Sequence, residues 1–329
     1  MTVQKIPDFK FIKKYEEPVF DISPHHARMS CCYRDMSGKF HMFVDFIDAS
    51  LNTVHSFQAV LNYYTSMDLI NWSSHGTVID KGIYDYNSGK GDSDCYGIGS
   101  PDVVLIDENI YLFYAGRGSL APYQPFNGLA HPGEKGYVSC DIMYAMAKTD
   151  KKVTPITPFI KKGIVLGRKY LWESMRVDDP CVVFEENTLH MYYKGFSDNS
   201  NKDTLRLGYA CSDFENIQFI RNPKPILSVD GGLEMPRVFK YNGRWNMFLR
   251  HFSSVGGAVW RHYISLNGTN WELRNPNLFN CAGPVPGKGA ADIMLIKNFD
   301  GSFTGKALAC GLEDGCLKLW LYSVINVSE

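Results

Sequence analysis

The chain has 329 residues, 45% apolar and 14% aromatic, with 20 phenylalanines and 19 tyrosines, enough for one large core and ring-rich in a way that favours strands and sugar-stacking surfaces. Its 34 basic and 35 acidic residues leave a formal net charge of −1, so no broad field attracts a polyanion and nucleic acid is not an expected partner. The nine cysteines are scattered without CxxC spacing, which points to buried thiols in a reducing compartment and away from a zinc or redox site.

From the N-terminus, residues 1–18 mix charged and apolar types with no basic-then-apolar leader, and no later span reaches the length of a membrane helix. The expectation is a cytoplasmic protein with no membrane partner. His25, His26, Ala27 and Arg28 then open the first of five related hairpins, ARMSCCYRDMSGKFHMFV, which closes on Asp45. An outer strand with a turn signature follows at residues 63–72 (YYTSMDLINW), and a long glycine-bearing insertion at residues 81–99 contains Tyr96. The second hairpin, SPDVVLIDENIYLFY, starts at Ser100 and leads into a second long insertion, residues 116–137. Insertions of this length in a compact domain are expected as binding loops over a pocket. Trp172, Glu173 and Arg176 precede the third hairpin, DPCVVFEENTLHMYY from Asp179. Glu234 precedes the fourth, MPRVFKYNGRWNMFL from Met235, and residues 262–271 (HYISLNGTNW) repeat the Ser and Trp spacing of residues 63–72. The fifth copy, AADIMLIKNFDGSFTGKALAC, runs over residues 290–310 and contains Asp292.

Pro101, Pro180 and Pro236 share one column of this repeat, each followed by an apolar run, a short polar turn and a second apolar run. That pattern predicts a β-hairpin whose proline takes the first position of its first strand, where a missing N–H does no harm. Gly38, Gly243 and Gly301 fall at the turns, which need residues that tolerate positive φ. No stretch sustains a 3.6-residue period, so helices should be few. The copies are spaced more widely and less evenly than the roughly 40–45 residues of a WD40 array. The predicted architecture is all-β, a single five-bladed β-propeller domain over residues 1–329.

In order and column, the copies resemble the five-bladed propeller glycosidases, glycoside hydrolase families 43 and 32 and their relatives, along nearly the whole chain. Ser100-Pro101-Asp102 stands where family 43 has an Ala-Pro-Asp-like element in blade two. Asp179-Pro180, preceded by Arg176-Val177-Asp178, matches the Asp-Pro of blade three, and Glu234-Met235-Pro236 the Glu-x-Pro of blade four. The resemblance implies a carbohydrate substrate and hydrolysis of a glycosidic bond, with Glu234 as general acid and Asp179 as the neighbour that raises its pKa. These families place a base or nucleophile Asp in blade one, where this chain reads His25-His26-Ala27-Arg28. The replacement carboxylates, in order of preference, are Asp102, Asp45 and Asp292. Asp102 is expected across the pocket from Glu234 at the roughly 6.5–9.5 Å of an inverting pair.

His26, Arg28, Arg176 and Arg237 lie near the same axis-facing ends, either as ion-pair partners or as contacts for an acidic sugar. Trp172, Glu173 and Tyr96 are candidates for a stacking platform or a polar contact. Asp178 is read as the structural neighbour of Asp179, because consecutive strand residues face opposite ways. GxGxxG, GxxxxGK[ST] and GxSxG are all absent, so no cofactor, nucleotide phosphate or serine nucleophile is implied, and no metal. The alternative function is a carbohydrate-binding propeller without hydrolysis, or a lyase or transferase variant of the same pocket.

Overall fold

The computed structural model describes residues 6–51, 59–85, 87–88, 90–119, 138–150, 154–155, 157–197, 205–252, 258–280 and 292–327. Strand follows strand among them, with two short 3-10 turns at Ala49–Leu51 and Leu171–Glu173 and no α-helix, as the missing helical period required. Strand β1 (Phe9–Lys13) is followed by a first antiparallel run, β2 (His26–Arg34), β3 (Phe40–Ile47), β4 (Val60–Ser66) and β5 (Ser73–Ile79). The short ladder of β6 (Tyr84–Asp85) and β7 (Lys90–Gly91) lies within the first long insertion. The second run is β8 (Gly97–Ile106), β9 (Asn109–Ser119), β10 (Val138–Lys148) and β11 (Ile160–Leu166). The third is β12 (Arg176–Glu185), β13 (Thr188–Phe196), β14 (Arg206–Asp213) and β15 (Ile220–Arg221). The fourth is β16 (Leu233–Tyr241), β17 (Arg244–Phe252), β18 (Ala258–Ser265) and β19 (Glu272–Asn280). The last is β20 (Ile293–Asn298), β21 (Phe303–Glu313) and β22 (Cys316–Asn326), and β1 supplies its fourth strand by pairing with β22 from Phe9↔Asn326 to Lys13↔Tyr322.

The leading strands of the runs are buried along most of their length, charged residues included, whereas a trailing strand such as β5 (SSHGTVI) is polar and exposed. That gradient places the leading strands innermost. The core accordingly forms seams between consecutive runs. Phe43, Leu61, Ile98 and Tyr114 join the first to the second, and Val104, Phe113, Val177 and Tyr193 the second to the third. Tyr192, Val238, Trp245 and Met247 join the third to the fourth, Phe239, Trp260, Leu295 and Trp320 the fourth to the last, and Val44, Met294, Leu308 and Leu319 the last to the first. At roughly 1.5–3 kcal/mol per fully buried large apolar side chain, these seams hold the runs together.

The proline column departs from expectation in a way that shapes the site. The strands begin three or four residues before the prolines, at Gly97, Arg176 and Leu233, and each carries a register shift spanning its proline: Gly99/Asp102, Asp178/Cys181 and Glu234/Arg237. A bulge takes the N–H-less residue out of the ladder. The residue before each proline is pushed into the left-handed region, with φ of 52° at Ser100, 50° at Asp179 and 55° at Met235. Such conformations cost about 1–3 kcal/mol each for non-glycine residues and persist only where the surroundings enforce them.

The turns follow the repeat closely. Glu186 and Asn187 (φ 47° and 61°), like Asn242 and Gly243 (49° and 72°), form the positive-φ centres of two-residue hairpin turns. The matched segments 63–72 and 262–271 close with the same side-chain turn. Ser66 Oγ accepts the N–H groups of Asp68 and Leu69 at 3.2 and 2.9 Å, and Ser265 Oγ those of Asn267 and Gly268 at 3.2 and 3.0 Å. Residues 120–137, most of the second insertion expected over the pocket, lie outside the described residues, as do Ala290 and Ala291.

Candidate active site

The leading strands touch in order, β2 on β8, β8 on β12, β12 on β16 and β16 on β20, while β2 pairs parallel with β20. Their N-terminal ends gather at one place, and antiparallel pairing returns the far ends of the second strands beside them. Across β12 and β13, Asp178 stands opposite Lys194; across β16 and β17, Glu234 stands opposite Arg250. The third and fourth hairpins therefore each deliver a cation opposite the carboxylate of a bulged strand.

One network follows. Lys194 Nζ lies 3.0 Å from Asp178 Oδ1, 2.9 Å from Asp179 Oδ2 and 3.2 Å from Glu234 Oε2. Arg250 Nη1 donates to Glu234 Oε1 at 2.9 Å and to Asp292 Oδ1 at 3.1 Å, and Arg28 Nε approaches Asp292 Oδ2 at 3.6 Å. Ser100 donates its hydroxyl to Asp179 Oδ1 at 2.9 Å and its backbone N–H to Asp45 Oδ2 at 3.2 Å. Asp45, Asp178, Asp179, Glu234 and Asp292 are all buried. Four of the runs thus contribute charges to one alternating set, and the second contributes the Ser100 bridge.

Asp178 and Asp179 both reach Lys194, contrary to the expectation that successive residues face opposite ways. The bulge and the left-handed Asp179 break the alternation and turn both carboxylates to one point. Asp102 is brought elsewhere. Both its oxygens accept from Lys297 Nζ, at 2.7 and 2.9 Å, and Oδ2 also accepts the Val182 N–H at 2.6 Å. Arg237 lies beneath the cluster, donating Nε to Ile293 O at 2.6 Å and Nη1 to Pro236 O at 3.0 Å. His26 accepts the Leu317 N–H at Nδ1, and Arg176 packs over the Phe196 ring.

The aromatic and glutamate candidates have structural partners. Trp172 stacks on Tyr193 over Gly195 and donates its indole N–H to Pro223 O at 3.1 Å. Glu173 is held by Arg221, Tyr193 and the Tyr170 N–H, and Tyr96 is fully buried with Cys95. Sequence reading missed Lys194, Arg250 and the Ser100 bridge. Folding the second strand of each predicted hairpin back onto the first would have placed both cations beside the carboxylates of the third and fourth hairpins.

Burial and charge oppose one another at these carboxyls. Burial alone pushes Asp179 up, but Lys194, the Ser100 hydroxyl and Arg237 outweigh it and bring Asp179 down to about 2. For Asp178, burial prevails over Lys194, Arg176 and Arg117, with Asp179 adding to the rise. Asp292 is also raised by burial, against Arg28 and Arg250 and with Glu234 and Asp179. Arg28 would be lowered by burial, but Asp292, Asp45 and Glu234 raise it. Among the described residues no three or more His, Cys, Asp or Glu side chains are arranged to hold a metal ion, and no helix is long and apolar enough to cross a membrane.

No protein-family model matches the chain. A β-1,2-mannobiose phosphorylase of a Thermoanaerobacter species is 24% identical over 151 residues, which cover 41% of this chain and 48% of that protein. The match therefore spans about half the length of that relative. Among solved structures, a family 117 glycoside hydrolase of the marine bacterium Zobellia galactanivorans superposes with a TM-score of 0.67 at 15% identity, covering 96% of this chain and 90% of the other. The catalytic domain of the GH62 alpha-L-arabinofuranosidase of Coprinopsis cinerea gives 0.63 at 13% identity over 97% and 98%. A thermostable family-43 glycoside hydrolase gives 0.60 at 14% identity over 93% and 96%. At such identities the likeness is one of fold, shared with glycoside hydrolases.

Proposed function

We propose that the chain is a carbohydrate-active enzyme that cleaves a glycosidic bond, with Glu234 as general acid, and that its five runs are the blades of one β-propeller domain over residues 1–329. The five seams, the pairing of β1 with β22 and the contacts among leading strands support the propeller. The single observation that carries the catalytic reading is the pairing of Glu234 with a second buried carboxylate. Glu234 and Asp292 share Arg250 Nη1 at 2.9 and 3.1 Å, so their near oxygens lie no farther apart than those two contacts combined. That range is shorter than the roughly 6.5–9.5 Å expected of an inverting pair, so no inverting outcome follows from it. The two carboxylates flank one cationic group, Arg250, in the way they would flank the positive charge of a reacting carbon. Asp292, rather than the Lys297-bound Asp102, is the second carboxylate of this reading, and it stabilises the positive charge of an oxocarbenium-like transition state. Glu234 accepts from a cation at each oxygen, so delivering a proton requires one of those contacts to open first.

Phosphorolysis is favoured as a second reading by one feature. The leading strand of the first run reads His25-His26-Ala27-Arg28 where the resembled hydrolases carry an Asp, and its Arg28 reaches the site at Asp292. A phosphate nucleophile brings its own charged oxygen, needs no protein base and is held well by guanidinium groups. The matched relative is itself a phosphorylase. The test is a panel of short oligosaccharides incubated with purified protein, with and without inorganic phosphate. Reducing sugar in both arms supports hydrolysis, and sugar 1-phosphate only with phosphate supports phosphorolysis. Binding without any product in either arm would leave the non-catalytic sugar-binding reading standing and overturn this one.

A further inference from the structure

We propose that Lys194 is a positioning residue of this site: its single ammonium fixes the carboxylates of Asp178, Asp179 and Glu234 on one point and lets go of Glu234 when that side chain takes up the proton it delivers. The release step rests on the reading of Glu234 as acid, whereas the clamp rests on geometry alone. Lys194 meets three carboxylates from two different runs at 2.9–3.2 Å, donating a hydrogen bond to Glu234 and pairing by charge with Asp178 and Asp179. The group is itself buried, with its side chain 10% exposed. Without it, three carboxylates converge on one point, an arrangement in which like charges oppose ionisation.

The other groups facing the cluster come from residues that a change at Lys194 leaves in the sequence. Ser100 from β8 and Arg237 from β16 act on Asp179, Arg176 from β12 and Arg117 from β9 act on Asp178, and Arg250 from β17 holds Glu234 beside Asp292. After burial, Lys194 is the largest influence on Asp179 and the first of those lowering it. Lys194 ranks the same way at Asp178, so its loss should be felt at both, and Asp179 is the one held low in the wild type. An arginine would bring a planar fork in place of a compact charge, so Lys194→Arg should hold fewer of the three oxygens while keeping the charge.

The experiment follows the side-chain carboxyl of Asp179 by carbon NMR in protein labelled at aspartate, with Asp179→Asn assigning the signal. In the wild type the Asp179 signal stays flat between pH 7 and pH 4. In Lys194→Met it titrates within that window, and Lys194→Arg returns it toward the flat profile. Lys194→Gln, which keeps donors without charge, gives the same reading should the methionine variant not fold. An Asp179 signal as flat in a folded Lys194→Met or Lys194→Gln protein as in the wild type overturns the clamp. The second arm compares kcat/KM at pH 7 and pH 5, where the Met or Gln variant should lose tenfold or more relative to the wild type. A wild-type protein that cleaves no sugar removes the acid role, and the NMR arm still decides the clamp.

Discussion

Replacing Glu234 by glutamine tests the acid role and its electrostatic setting together. Glutamine keeps one acceptor oxygen, but its second position becomes an NH2 donor facing either Lys194 or Arg250, which lie 3.2 and 2.9 Å from the present carboxylate. One charge-assisted contact is therefore lost, a cost of about 1.5–3 kcal/mol. A melt should show that loss as a few degrees, while the fold survives on its apolar seams. Catalysis should suffer more. A general acid contributes roughly 10²–10⁴ in rate, or about 2.7–5.5 kcal/mol of barrier. The effect should depend on the leaving group, since a nitrophenolate departs without a proton and an alkyl or sugar oxygen does not. The assay compares kcat of Glu234→Gln and wild type on a nitrophenyl glycoside and on the matching unactivated disaccharide. The variant should lose at least a hundredfold on the disaccharide and far less on the nitrophenyl substrate. Equal losses on both, or near-normal turnover of the disaccharide, would remove Glu234 from proton delivery.

Asp102→Asn should act on stability rather than on the pH profile. It breaks a buried pair with Lys297 and weakens the acceptor for Val182 N–H, a change expected to cost about 3–5 kcal/mol. An unchanged melting temperature with turnover abolished would return Asp102 to the role of base. Asp179 should shape the acid side of the stability curve, because its carboxyl falls from the ordinary ~3.9 to about 2 on folding. The stabilisation is fully present above pH ~4 and is lost as pH falls toward 2, by roughly 2–3 kcal/mol. Acid unfolding of Asp179→Asn should accordingly be flatter over that interval than that of the wild type; coincident curves would contradict the assignment.

The hairpins, their turns and their order were legible in the chain because they are local. Two-residue turns need particular residues at positive φ, apolar runs of strand length need a polar break, and Asn242-Gly243 and Glu186-Asn187 supply both within a few positions. The prolines at 101, 180 and 236 marked one column of the repeat, and the carboxylates near two of them, Asp179 and Glu234, both reach Lys194. What the sequence did not display is which way those side chains point. Strand alternation placed Asp178 and Asp179 on opposite faces, and a bulge with a left-handed residue put both on Lys194. Asp102, next to its own proline, ended on Lys297 from the last run, 195 positions away. Lys194 and Arg250 sit in second strands, in no motif, and take their meaning only from the strands they pair with. Periodicity and turn chemistry act over a handful of residues and are written in composition, whereas the partners of a buried charge are chosen by whichever strands the apolar seams bring together.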